Sequence, residues 1–66
     1  MKPRYPTITM DHIWSAIRGL GMMQMPHEAL DKLHDAHIKT EAFASRVIIL
    51  AVQQVRALRA TLRGPA

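Results

Sequence analysis

The side chains best suited to chemistry crowd one stretch: His27, Glu28, Asp31, His34, Asp35 and His37. On a helix, His27, Asp31 and His34 or Asp35 follow i, i+4 and i+7 or i+8, and so share a face. Imidazole and carboxylate are zinc-ligand types, and a site needs several of them converging from one side at ~2 Å. Asp31 with His34, or with Asp35, supplies two; a third must come from His12 or from another chain. There is no HExxH and no other established ligand motif. The stretch therefore reads as the polar, solvent-facing side of an amphipathic helix, with no metal and no cofactor expected. Four His also offer a pH sensor, since imidazole titrates near physiological pH. Paired carboxylates become a general acid–base pair only in a concave site that shifts their pKa values. The chain has no Cys, no glycine-rich phosphate loop and no nucleophile elbow, so no enzyme is expected.

A second group is basic. Nine Lys and Arg stand against five Asp and Glu, for a formal net charge of +4. Residues 1–41 balance, whereas residues 42–66 carry Arg46, Arg56, Arg59 and Arg63 and no acid. Arg56, Arg59 and Arg63 fall at i, i+3 and i+7 and share one helix face. These four are the candidate contacts for an anion or a nucleic-acid backbone. The plainer reading is a solvated face whose cations suit the helix C-terminal dipole. A few arginines support weak, salt-sensitive phosphate binding rather than base readout. The chain has no Asn, and Gln53 and Gln54 are the only amides nearby.

Helices must position these groups. Pro3 and Pro6 keep the lead-in extended over residues 1–8. Thr7 or Thr9 then caps a helix over roughly 9–19, with Asp11 in its first turn and Ile13, Trp14, Ile17 and Leu20 on one face. Gly19 and Gly21 bracket its end. Met22–Met25 connects to a second helix over roughly 26–37, opened by Pro26, with Ala29, Leu30, Leu33 and Ala36 or His37 inward and Met25 stapled back. Thr40 followed by Glu41 resembles a new N-cap. A break near 38–40 is preferred to one long bent helix. The third helix runs from about 41 to 62, stopped by Gly64 and Pro65, with 63–66 a frayed tail. Its length is on the order of 30 Å. The only strand-like segment, Tyr5–Met10, has no partner in the chain.

The apolar pattern of the third helix is its strongest signal. Phe43, Val47, Leu50 and Ala51 occupy one stripe, and Ile48, Ala51, Val55, Leu58 and Leu62 follow a heptad seam, together the apolar seam of this helix. Two shorter helices are expected to cover only part of it, and soluble monomers avoid a contiguous exposed apolar patch. Each fully buried aliphatic side chain is worth roughly 1.5–3 kcal/mol, so a second copy or a partner helix is expected to cover the rest. Trp14 is both the expected anchor of the first helix on the third and a candidate interface residue. Met22, Met23 and Met25 either pack under the helical corner or form an adaptable patch for a partner.

These features define a class. A chain of 66 residues is one domain, too small to be very stable without association, disulfides or metal. The expected fold is all-α: two short helices and one long C-terminal helix, a small bundle completed by homodimerisation or by another protein. No apolar run is long enough to span a bilayer and no secretory signal is evident, so a cytoplasmic location is expected and membrane binding is not. The expected function is non-enzymatic, helix-mediated protein–protein binding by a small regulator, adaptor or inhibitor. The alternative is a small basic DNA- or RNA-binding regulator using the Arg face of the third helix.

Overall fold

The computed structural model describes residues 7–62. The chain is all-α: α1 spans Met10–Leu20, α2 His27–His37 and α3 Phe43–Leu62, with a single 3₁₀ turn at Met22–Gln24. No strand occurs among the described residues, and Met10, the end of the strand-like segment, is the first residue of α1.

Thr9 caps α1 in a reciprocal arrangement. The His12 N–H donates to Thr9 Oγ1 at 3.4 Å, and the Thr9 N–H donates to His12 Nδ1 at 3.0 Å. His12 thus fills the place that Glu or Gln takes in most capping boxes. A backbone N–H can only donate, so Nδ1 is the acceptor in this bond. Gly21 ends α1 in the left-handed region at φ 63°, and its N–H donates to the Arg18 carbonyl at 3.2 Å. Gly19 remains inside the helix, which ends at Leu20, one residue beyond the end the sequence suggests.

Pro26 is the N-cap of α2 rather than its first helical residue, at φ −66° and ψ 158°. Its carbonyl accepts from the N–H groups of Ala29 and Leu30 at 3.0 and 3.1 Å. Leu30 turns inward and is fully buried, with Leu33 and Met25 packed beside it. Of the two inward candidates at the end of α2, His37 is half-buried and Ala36 is exposed.

The break between α2 and α3 falls at 38–42. Thr40 does not cap α3. Its N–H and its hydroxyl both donate to the His37 carbonyl, at 3.1 and 3.2 Å, so it closes α2 instead. Serving an orphan carbonyl behind it takes Thr40 away from the amides ahead of it. As a result α3 starts two residues later than the acid at Glu41 suggests, and Glu41 lies outside the helix.

Contacts fix the topology. His12 meets Phe43 and the residues after α1 meet Arg59, so α1 runs parallel to α3. His37 meets Ser45 and Asp31 meets Arg56, so α2 runs antiparallel to α3. The two short helices lie along different sides of α3 and approach it far more than each other. Ile13, Ile17, Met22, Leu30, Ala51, Val52 and Val55 form one buried cluster. Two-sided cover explains how two helices of 11 residues bury so much of one of 20.

Candidate functional site

Three regions collect the candidate residues. The first is a groove between α1 and the first half of α3, with a volume of about 300 Å³. His12, Ser15, Ala16 and Leu20 line one wall; Phe43, Ala44, Val47 and Ile48 line the other. Nearly all of its accessible lining is carbon. The His12 ring stands edge-on to Phe43, centroids 5.3 Å apart and planes at 88°, the geometry aromatic quadrupoles favour. The parallel run of α1 along α3 creates the groove, and the small side chains of Ser15, Ala16 and Ala44 keep it open. Leu20 stands at its edge, half exposed. A second apolar hollow, lined by Ile8, Arg46, Ile49 and Leu50, lies on the same half of α3.

The α3 seam divides among different environments. Phe43, Val47 and Ile48 line the groove, Val47 as a buried residue at its floor and the other two half-buried. Ala51 and Val55 are fully buried in the chain's own core and present no surface to a partner. Leu58 is half-buried, and Leu62 is 77% exposed at the end of the described helix. Trp14 is half-buried against the core and lines a hollow of about 570 Å³ with Ile17, Arg18, Gly21, Met23 and Gln24. The sequence pointed to none of Ser15, Ala16 and Ala44, and it offered His12 only as a metal ligand and Leu20 only as part of the apolar face of α1. The available signal was the run of small residues at helical spacing, but which side of α1 meets α3 depends on the packed fold.

Among the described residues, Arg56 and Arg59 share a face of α3, and Arg46 stands apart from them. Arg46 stands beside the apolar hollow, near the start of α3. Arg56 and Arg59 face the start of α2 and are used within the fold. Arg56 Nη2 donates to Asp31 Oδ1 in an ion pair. Arg59 Nη2 donates to the carbonyls of Met23 at 3.2 Å, Met22 at 3.5 Å and Met25, clamping the α1–α2 connection onto α3. No sequence signal pointed to that clamp, because backbone carbonyls carry no side-chain identity. Arg63 lies outside the described residues.

The Met cluster is split in the same way. Met22 is fully buried, Met25 packs against the core, and Met23 is exposed. The acids and histidines of α2 pair locally: His27 with Asp31 at 3.3 Å, and His34 with Asp35 at 3.5 Å. Among the described residues no group of three or more His, Cys, Asp or Glu converges to hold a metal. No helix there is long and apolar enough to cross a membrane. No protein-family model, curated protein or solved structure matches the chain.

Proposed function

We propose that this chain is a small non-enzymatic interaction protein that acts by helix-mediated protein–protein binding. Its docking surface is the α1–α3 groove, and the first partner is a second copy of the chain. The observation that carries this is the groove's carbon lining, which runs along two helices and has small side chains in its walls. Such a surface gains free energy by receiving an apolar helix face, at about 25 cal/mol for each Å² removed from water. A two-fold arrangement presents the same groove from both chains, so one event covers both. The cytoplasm is the location we assign, since a chain without Cys needs no oxidising compartment. As a regulator, adaptor or inhibitor it works by occupying or being occupied, with no bond made or broken.

The absence of Cys allows a clean test. A single Ser15→Cys places a thiol at the groove, and Gln53→Cys places one on the exposed far face of α3. Mild oxidation is expected to trap covalent dimers of the Ser15→Cys variant well before those of Gln53→Cys. Equal trapping of both variants contradicts the groove as the interface.

A further inference from the structure

A different set of residues converges away from the groove. His27, in the first turn of α2, lines a cleft of about 230 Å³ with Arg56, Arg59 and Ala60 from the second half of α3. The antiparallel run of α2 brings its first turn to this part of α3. The i, i+3 spacing of Arg56 and Arg59 turns both toward it. The protein-binding reading makes no use of this cleft.

Both guanidinium groups are held by bonds that use part of their capacity. Arg59 is anchored through Nη2 on the carbonyls of Met22, Met23 and Met25. Arg56 is anchored through Nη2 on Asp31, while its Nε is buried with no partner. A guanidinium has five N–H donors, so each retains donors beyond its anchor. No side chain caps α2, and the first amides of a helix have no partner within it. The dipole at that end adds positive potential of the same sign.

Two side chains that line the cleft already engage a neighbouring carboxylate. Asp31 Oδ1 takes the Arg56 bond, and Asp31 Oδ2 lies 3.3 Å from His27 Nε2. One carboxylate therefore bridges two of the three basic groups. We propose that the cleft is an oxyanion site for a phosphate group in its doubly charged form, with Asp31 as the built-in competitor. Phosphate brings more charge and more acceptor oxygens than a carboxylate, and guanidinium recognises both through its planar fork. Free phosphate and a phosphomonoester share this chemistry.

The test is a titration of the ¹⁵N-labelled full chain with sodium phosphate at about pH 7.5, where the dianion dominates. Sodium chloride at matched ionic strength is the control. Saturable shifts are expected at the His27 and Glu28 amides, with phosphate and not with chloride. Asp31→Asn, which removes the competing charge, is expected to tighten binding about fivefold. Arg56→Gln is expected to weaken it about tenfold, with Arg56→Lys in between. The spectrum of each free variant reports its fold, and the wild-type titration stands without them. Phenyl phosphate in a parallel arm tells the sources apart: tighter binding of the ester marks a monoester site, and tighter binding of phosphate marks the free ion. Shifts that chloride reproduces overturn the proposal, as does a folded Asp31→Asn variant that binds no tighter than wild type.

Discussion

His37 Nδ1 lies 2.8 Å from Ser45 Oγ, and this bond ties the last residue of α2 to the first turn of α3. It spans the 38–42 turn, where Ile38 is half exposed and no apolar residue is buried. Among the described residues Ser45 is the one buried polar residue, at 6% exposure, whereas His37 is half-buried. The two partners are therefore not equivalent.

That asymmetry gives the first prediction. Ser45→Ala removes a buried hydroxyl and leaves His37 able to reach water, so it should cost about 0.5–1 kcal/mol. His37→Ala strands the buried hydroxyl and should cost about 1–3 kcal/mol. Urea unfolding of both variants checks the order. A larger loss in Ser45→Ala would show that the hydroxyl is satisfied elsewhere.

The two glycines around the end of α1 should respond with opposite signs. An added Cβ meets nothing within 4 Å at either Gly19 or Gly21. Only the backbone differs: Gly19 is helical, while Gly21 sits at φ +63°. Gly19→Ala should stabilise by about 0.5–1 kcal/mol through helix propensity. Gly21→Ala should destabilise by about 1 kcal/mol, the cost of a left-handed residue with a Cβ. Thermal unfolding reads both, and equal signs would contradict the assigned end of α1.

The Arg59 clamp holds the connection between α1 and α2. Within that connection the Gln24 and Met25 amides donate to Gly21 and Met22 carbonyls at 3.1 and 3.2 Å. Arg59→Gln should lower stability by about 1–2 kcal/mol, since the lost bonds involve a charged donor on a half-exposed side chain. Hydrogen exchange should speed up at Gln24 and Met25 more than in the middle of α3. Arg59→Lys should recover part of the protection, because the charge remains and the fork is lost. Uniform acceleration along the chain would reduce Arg59 to a general contributor.

Helix number and type were legible because apolar periodicity and local punctuation agree in α1 and α2. Thr9, Gly21 and Pro26 each act within a turn of where they stand. Thr40 misled because one hydroxyl can serve the helix behind it or the one ahead, and local sequence does not decide between them. The α3 seam carried its period but not its cover. Ala51 and Val55 look like Phe43 and Ile48 in the pattern, and only the placement of α1 and α2 separates core from groove. Helical spacing put Arg56 and Arg59 on one face, where they stand, but it records only their own element. The Asp31 carboxylate and the carbonyls of the connection that engage them come from distant parts of the chain.

The central claim is that the α1–α3 groove is where this protein binds a second copy of itself. Ala44 is the residue to change, because it lines the groove and is exposed, so a larger polar side chain there spares the core. The most direct measurement is absolute mass by light scattering behind size exclusion, over a dilution series to low micromolar, for wild type and Ala44→Glu. The account predicts a wild-type mass near twice 7.5 kDa and a folded Ala44→Glu monomer. A wild-type monomer throughout the series, or a dimer that survives Ala44→Glu unchanged, would contradict it.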